Sequence, residues 1–402
     1  MCCEQVISIT RMKPYDIAIA GCGVAGLAAA ALLRRRGARV VVFDQWEAPK
    51  PIGSGIIVQP VGLHVLDAIG AGDAMRALGA PITRLFGKSG RHVVLDVRYD
   101  ALGEGAACGL GVHRGALFQV LYDAARAAGV EIESGRVVSG AGDGRFRFAD
   151  GSQSAKFDLL IDAAGARSPL AGAPPRLLTY GALWASLDWA DGFDGSALEQ
   201  RYEAARKMVG VMPIGRLAGE ARTQAAFFWS LKHEDRAAWA ARDLDAWKQD
   251  VLALWPDVAP LLAQIRGHDD LVFAAYAHRT RREPLAQGFV HLGDSWHCTS
   301  PQLGQGANMA LLDAYALAHA LARQDDLATA LGEYARMRLW HVRLYQLASW
   351  AFTPAYQSDS HTFALLRDWI VSPLARLWPA PQVLAALVAG QVGAPLSAIE
   401  RS

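Results

Sequence analysis

Three glycines at positions 21, 23 and 26, set between an apolar run and an alanine-rich stretch, constrain the start of this chain more than any other feature. The run Tyr15-Asp16-Ile17-Ala18-Ile19-Ala20 reads as a buried strand. Gly21-Cys22-Gly23-Val24-Ala25-Gly26 follows at once, and a helix is expected from about Val24 to Arg36, with Gly37 as its stop signal. A second apolar run, Val40-Val41-Val42-Phe43, leads to Asp44. That residue stands about 20 positions beyond the glycines, where a Rossmann unit places the carboxylate that accepts from ribose hydroxyls. A glycine triplet alone is weak evidence. Strand, glycines, helix, strand and acid in that order form a dinucleotide-binding fingerprint. The glycines let the backbone approach a pyrophosphate at a helix N-terminus, whose unpaired N–H groups and dipole favour an anion. Val24 and Ala25 at the helix start, and Gln45 beside Asp44, join the expected contacts.

A second glycine-rich segment lies almost three hundred residues on. Gly288-Phe289-Val290-His291-Leu292-Gly293 reads as a buried strand with Asp294 at its carboxyl end, where ligands of open α/β sheets bind. The loop Pro301-Gln302-Leu303-Gly304-Gln305-Gly306-Ala307-Asn308 then opens a helix expected from about Met309 to Arg323. A helix N-terminus there would point its positive dipole at the N1/C2 carbonyl edge of a reduced flavin. The alternative is a glycine loop that caps a helix for packing alone. Taken together, the two segments point to FAD rather than to a nicotinamide as the resident cofactor. No second dinucleotide fingerprint occurs, so a dedicated nicotinamide domain is not expected, and NADPH or NADH would visit only transiently.

At 402 residues the chain is long enough for two domains, or for one large domain with an insertion. Lys and Arg total 40 against 39 Asp and Glu, with no basic run. Nucleic acid is therefore not an expected partner, and a small molecule is. The five cysteines show neither a CxxC pair nor metal-ligand spacing, which fits a reducing, cytoplasmic setting and gives no reason to expect a metal. The apolar stretch Ile17 to Leu33 has membrane-like composition, but its glycines fall on the nucleotide motif and arginines follow, so it reads as strand plus helix.

Periodicity divides the rest. An amphipathic helix around Leu63 to Ile69 is ended by Gly70. A strand-like His92 to Val97 follows, then a helix opening at His113-Arg114 and a strand at Val130 to Glu133. Arg145 to Phe148 reads as half a hairpin, and Phe157 to Ala163 as a buried strand. From Leu177 to His278 the pattern is strands (177–187, 209–213, 223–231, 271–278), interrupted by one helix expected over about 244–265. The expected domains are a discontinuous FAD-binding domain (1–78, 108–172 and 285–330), a β-rich substrate domain (79–107 and 173–284) and a helical C-terminal region (331–402).

These motifs resemble the class A flavoprotein monooxygenases, the family of p-hydroxybenzoate hydroxylase and the ubiquinone-pathway hydroxylases, over about residues 15 to 325. The residues that carry the resemblance are the glycine triplet with Asp44, Pro51-Ile52-Gly53-Ser54-Gly55-Ile56, His113-Arg114, Gly165-Ala166-Arg167-Ser168, and Gly293-Asp294 through Asn308. The resemblance implies an α/β fold, a Rossmann-like FAD-binding domain with an inserted β-rich substrate domain and a helical tail. It also implies hydroxylation of an aromatic or quinone-like small molecule with NAD(P)H and O₂, by way of a flavin C4a-hydroperoxide. By the same resemblance Asp44 would bind the adenosine ribose, Arg114 the ribityl or pyrophosphate region, and Asp294 the ribityl chain. Gly304, Gln305, Gly306, Ala307 and Asn308 would face the isoalloxazine through backbone N–H groups, with Gly55, Ile56, Gly165 and Pro301 around it.

One departure stands out. The family usually has Ala-Asp-Gly before Gly165, with the aspartate associated with FAD and NAD(P)H; here the sequence is Asp162-Ala163-Ala164-Gly165. Asp162 could take over that task only from two residues back, about 6–7 Å along the strand. The Asp-Ala-x-Gly form is similar to flavoprotein halogenases and prenyl-lipid reductases, which keeps a flavin dehydrogenase or reductase open as the alternative function. The Trp-x-Trp-x-x-Pro motif of a halogenase is absent from the 12 tryptophans, and a non-catalytic flavin-binding regulator is a more remote reading.

Candidate substrate contacts are aromatics on the inserted strands, Tyr180, Trp184, Phe227, Trp229 and Tyr276, with Pro301 over the flavin; aromatics on strands are more often core. Phe227 and Trp229 share one face and Phe228 takes the other. His278 and His297 are candidates for proton transfer because histidine titrates near neutrality, although a structural role is the commoner one. No general base is named. In the tail, Trp340, Trp350, Trp369 and Trp378 accompany apolar stretches that could shield the flavin site, form a dimer contact or touch a membrane. Packing onto their own protein is the preferred reading, and the oligomeric state stays open. Cys2-Cys3 invite acylation, but no motif supports it.

Overall fold

Continuous apolar strands need cover on both faces, and the first sheet of the computed structural model, which describes residues 12–47 and 54–400, has it. Its central strand Asp16–Ala20 lies between Arg39–Phe43 and Leu159–Asp162, all parallel. Glu131–Glu133 extends one side; Phe289–His291 and then the antiparallel Leu285–Ala286 extend the other. One face, with Ile17, Ile19, Val40, Val42, Leu159, Ile161 and Val290, packs against helices. The other, with Ala18, Ala20, Val41 and Phe43, packs on the hairpin Val138–Gly142/Arg145–Phe148, where Phe43 meets Phe148 edge-on at 5.2 Å between ring centroids. In the helix Val24–Arg35 the alanines 28–31 have no solvent exposure. Their small side chains let this helix sit between the sheet, the helix Arg114–Ala127 and the helix Gly306–Arg323.

A second sheet has seven strands in the order Val272–His278, Arg176–Asp188, Gln224–Lys232, Lys207–Pro213, Ala197–Glu203, Arg84–Ser89 and His92–Arg98. It is antiparallel except where Ala197–Glu203 runs parallel to Arg84–Ser89. Its outer face is covered by the helices Arg236–Ala241 and Leu244–Leu254, whose Trp239 and Trp247 pack on Phe227 and Trp229. The single helix expected over 244–265 is broken. Pro256 removes a donor and turns the preceding residue, Trp255, to an extended conformation, so a short turn Pro256–Val258 separates Leu244–Leu254 from Ala259–Leu262.

A three-stranded sheet joins the two larger ones. In it Gly109–His113 is flanked by Gly55–Val58 and Ala80–Ile82, and His113 N–H bonds the Ile214 carbonyl of the second sheet. Gly55 is required at this junction, because a Cβ there would lie 2.3 Å from Ile214 Cγ2 and 2.7 Å from Ala226 Cβ.

The C-terminal part is helical. A 30-residue helix, Leu327–Tyr356, is followed by His361–Leu366, Ala380–Val388 and Pro395–Glu400. It is fastened to the first domain by a polar chain without access to solvent. Asp313 Oδ1 accepts from Arg338 Nε at 2.8 Å, Arg338 Nη1 lies 3.0 Å from His341 Nδ1, and His341 Nε2 lies 3.4 Å from the Gly390 carbonyl. Burial would raise the Asp313 pKa, but His297 and Arg338 together pull it below the ordinary carboxylate value. Burial, reinforced by Arg338, pushes His341 well below 6.5. The neutral ring then accepts from Arg338 at Nδ1 and donates from Nε2. Cys2, Cys3, Pro51, Ile52 and Gly53 lie outside the described residues.

Because His341 stays neutral in the folded state, its contribution is intact above about pH 6.5. It is lost as pH falls through that value toward its lower folded pKa, since the unfolded chain then binds the extra proton. Replacing it with the non-titrating glutamine, His341→Gln, is expected to flatten the fall in stability between about pH 6.5 and pH 5 by up to about 1.4 kcal/mol per pH unit. Urea midpoints across that range read the difference.

Candidate functional site

The three glycines of the first loop have different physical reasons. Gly21 has φ +106°, and a Cβ there would sit 2.5 Å from the Ala163 carbonyl oxygen. A Cβ on Gly26 would come 1.9 Å from the Gly21 carbonyl oxygen. Both are fixed by the protein's own packing. Gly23 has nothing within 4 Å of where a Cβ would stand, so its face is open to a ligand. The helix closes its first backbone bond at Leu27 N to Gly23 O. The N–H groups of Val24, Ala25 and Gly26 have no acceptor among the described residues. Across the loop, Asp44 is half-buried and accepts from Cys22 N at 2.6 Å and Trp46 N at 3.0 Å. It shapes the loop and still presents carboxylate edge to the cleft; Gln45 beside it is exposed.

The second loop repeats this logic with an 18-residue helix. Pro301–Leu303 forms one tight turn, Gly304 adopts φ +61°, and Gly306–Arg323 begins. Met309 N to Gln305 O is the first closing bond. The N–H groups of Gly306, Ala307 and Asn308 have no acceptor among the described residues. Asn308 has its side chain committed elsewhere: Oδ1 accepts from Gln59 N at 2.8 Å, and Nδ2 donates to the carbonyls of Ile57 at 3.1 Å and Gly304 at 3.0 Å. It staples the strand Gly55–Val58, and with it Ile56, to the loop. Gln305 likewise points away, donating from Nε2 to the Val388 carbonyl at 2.5 Å. Only backbone groups of these two residues remain for a ligand.

Between the loops lie two charged residues. Gly293 has φ +60° and donates its N–H to Asp313 Oδ2 at 2.8 Å, which fixes the turn that presents Asp294. The Asp294 side chain is open to the cleft yet closely ringed by protein. That crowding raises its pKa against the opposing pull of His297, Arg114 and Arg279. Arg114 begins the helix Arg114–Ala127 with its side chain exposed and its N–H on the Ser54 carbonyl.

Asp162 is taken up by structure. It has no solvent exposure and accepts from Ala164 N at 3.1 Å, Ser168 Oγ at 2.7 Å and His291 Nδ1 at 2.8 Å. The carboxylate missing at the exposed Ala164 is therefore not supplied from Asp162. Gly165 follows with φ +78°.

The two histidine candidates have different surroundings. His297 is buried with Nε2 2.7 Å from Asp313 Oδ2, inside the chain that anchors the C-terminal helix. His278 ends an edge strand beside Arg176; burial and that arginine lower its pKa, so it is neutral at ordinary pH.

The strand aromatics separate by face. Phe227 and Trp229 are core on the outer side, with ring centroids 6.4 and 6.5 Å from Trp247. They do not face the cleft, which corrects the expectation for both. The inner face, turned toward Gly55–Val58, carries Trp184 and Phe228 at 4.6 Å between ring centroids, and Tyr276, toward whose oxygen the Trp184 indole N–H is directed. Gly210 is obligatory beneath Phe228, since a Cβ would lie 2.0 Å from its ring. Tyr180 donates to Asp359 Oδ1 at 2.8 Å, which ties the sheet edge to the C-terminal region. Pro301 is exposed at the cleft mouth. Alternation could separate Phe227 from Phe228 but not say which faced inward. The usable signal was Trp239 and Trp247 on the next helices, which need an apolar face to cover.

The residues present fit FAD. They offer two sets of N–H donors with no acceptor among the described residues, the open face of Gly23, the carboxylates of Asp44 and Asp294, and the exposed side chain of Arg114. Among the described residues no cluster of His, Cys, Asp and Glu could hold a metal ion.

Comparison with known proteins agrees. The family model described as FAD binding domain matches residues 14–338. A putative 2-heptyl-3-hydroxy-4(1H)-quinolone synthase of Rhodococcus erythropolis is 27% identical, over 79% of this chain and 82% of its own. The aurachin C monooxygenase/isomerase of Stigmatella aurantiaca is 26% identical over 91% and 95%. A Klebsiella pneumoniae structure with FAD and uric acid superimposes with TM-score 0.71 at 24% identity, over 95% of this chain and 97% of that one. The tetrameric 2-methyl-3-hydroxypyridine-5-carboxylic acid oxygenase gives 0.75 at 20% identity, over 92% and 100%.

Asp44→Ala removes a charged acceptor and should weaken FAD binding by about ten- to a hundredfold, read by fluorescence titration of apoprotein. Arg114→Ala should weaken it too, without lowering the thermal midpoint of the apoprotein.

Proposed function

We propose a specific substrate class and division of labour for this chain, which belongs to the class A FAD-dependent monooxygenase family: it hydroxylates a neutral, largely apolar aromatic ring, with NAD(P)H as reductant and O₂ as oxidant. What supports the reading is that the helices Val24–Arg35 and Gly306–Arg323 begin side by side, with Ala25 and Ala310 3.3 and 3.2 Å from where a Gly293 Cβ would stand, and that the inner face of the second sheet is uncharged and aromatic beside Gly55. When bound, FAD supplies the electron transfer and oxygen activation.

The chain's own part is binding and exclusion. The open Gly23 face and the N–H groups of Val24, Ala25 and Gly26 would take the pyrophosphate. Asp44 would take the adenosine ribose, and Asp294 with Arg114 the ribityl side. The N–H groups of Gly306, Ala307 and Asn308 would stabilise negative charge at the pyrimidine edge of the ring system, where preorganised donors act most strongly because water is kept out. Opposite them, Trp184, Phe228 and Tyr276 would hold a planar substrate by stacking and apolar contact. Ala182, Ala226 and Met212 on the same face carry no charge, so a carboxylate-bearing ring would find no counter-ion there. The relatives' names span a quinolone synthase, a urate hydroxylase and a kynurenine monooxygenase. The inner face of this chain favours the less polar end of that range.

Ala164 supports one competing reading, a flavin reductase or dehydrogenase. The two separate in one experiment: anaerobic mixing of holoenzyme with NADPH or NADH, following the oxidised flavin band, with and without 4-quinolones, phenols and their carboxylated analogues. The product is then analysed after turnover in labelled O₂. Ring-stimulated reduction with one labelled oxygen in the product is the expected result. Turnover without incorporation establishes the reductase, and no reduction by either nucleotide rejects both nicotinamide-driven readings. Trp184→Ala should raise KM for the neutral ring at least about tenfold, from the loss of one buried aromatic contact, while FAD affinity is kept.

A further inference from the structure

The surface of the C-terminal region departs from that of an ordinary soluble monomer. Of the large apolar side chains exposed among the described residues, thirteen of seventeen fall between residues 340 and 383. Four are tryptophans: Trp340 at 70% exposure, Trp350 at 62%, Trp369 at 60% and Trp378 at 82%. Those four alone leave roughly 500 Å² of aromatic surface in water.

The long helix shows how this surface is organised. Tyr334, Met337, Arg338, His341, Val342, Tyr345 and Ser349 are buried against the protein. Trp340, Arg343, Leu347 and Trp350 recur every three or four residues on the opposite side and are exposed, so this side of the helix is a second apolar stripe. No described helix is long and apolar enough to cross a membrane. A stripe of tryptophans and an arginine on a helix that does not cross is the composition of an element lying in the plane of a bilayer interface, indole at headgroup depth and guanidinium toward phosphate.

Charge decides between a bilayer and a second copy. Arg343 has no carboxylate partner among the described residues, and Arg376 bonds only the Val93 carbonyl, at 3.2 Å. The two acids of this stretch are already engaged: Asp359 accepts from Lys232 and Tyr180, and Asp368 from Arg367. A two-fold pairing centred on the stripe would set Arg343 against its own copy with no acid to relieve it. An anionic lipid surface supplies the missing charge.

We propose that this stripe docks the enzyme on a bilayer containing anionic lipid headgroups, with Trp340, Leu347 and Trp350 entering the interface and Arg343 pairing with phosphate. The docking goes beyond the reaction assigned above and does not depend on it.

The test uses full-length holoenzyme and flotation with vesicles of phosphatidylcholine alone or mixed with phosphatidylglycerol. Flotation with the mixed vesicles, weak with phosphatidylcholine alone and reduced but not abolished by salt, is expected. Arg343→Glu should weaken partitioning at least about fivefold, the effect of one arginine near an anionic surface. Trp340→Ser combined with Trp350→Ser should weaken it at least tenfold, with FAD content and the rate of flavin reduction unchanged. Quenching of wild-type tryptophan emission by brominated acyl chains gives a readout that needs no variant. The proposal is overturned by absence of flotation, by equal flotation on both vesicle types, or by a solution dimer that the double tryptophan variant converts to monomer.

Discussion

A single carboxylate without access to solvent, Asp313, holds the two ends of this molecule in register. Its Oδ2 accepts from Gly293 N and lies 2.7 Å from His297 Nε2; its Oδ1 accepts from Arg338 Nε. One side chain thus fixes the turn that presents Asp294, the short segment after it, and the long C-terminal helix. Burying a charge is favourable only where partners replace its lost hydration. Breaking such a group by removing one partner typically costs about 3–5 kcal/mol. The Gly293 turn needs this anchor, because φ +60° with ψ −136° is a conformation that no repeating structure would hold in place.

With that turn fixed, the cleft is defined by what the backbone leaves unpaired. A helix start has four orphan donors. At some helix starts side chains take up one of these donors: His113 caps at Gly115 N, Asp243 at Ala246 N, Asp326 at Thr329 N and Ser360 at Phe363 N. The helices beginning at Val24 and Gly306 have glycine and glutamine at the cap position and no side-chain cap. Two uncapped starts on long, buried helices, facing the same cleft, leave stability to be recovered from a bound anionic or carbonyl-rich ligand. Asn308 shows the same economy: its amide makes three hydrogen bonds to the protein, so its backbone N–H is the group left over.

The parts of this arrangement legible in the sequence are those governed by local backbone geometry. Gly21, Gly23 and Gly26 could be read because a turn, an opening and a close helix–strand contact each forbid a side chain. Asp44 could be read because one βα turn fixes its distance from them. The strand Gly55–Val58 was not read as a strand, since its partner Gly109–His113 is more than fifty residues away and neither segment alternates. The inner face of the second sheet was misassigned for a related reason. A period of two identifies the pair Phe227 and Trp229, but the choice of face is a tertiary fact set by Trp247. Whether Asp162 and His297 serve chemistry or structure is not written in their neighbours along the chain. Only the packing shows that Asp162 accepts from Ala164, Ser168 and His291, and that His297 lies against Asp313.

The tail is more than cover, because it supplies part of the wall behind the flavin loop. Gln305 donates to the Val388 carbonyl, and His341 reaches Gly390, whose own position tolerates no side chain: a Cβ there would stand 2.5 Å from Val61 Cγ2. Tyr345 adds a bond to the Leu387 carbonyl at 3.0 Å. Residues 387–390 are therefore held between the long helix on one side and the loop and the helix Pro60–Ile69 on the other. The buried and exposed stripes of the long helix belong to one rigid element, and a packed interior transmits displacement rather than absorbing it. The exposed stripe and the loop that meets the cofactor are thus joined to the same packed helix.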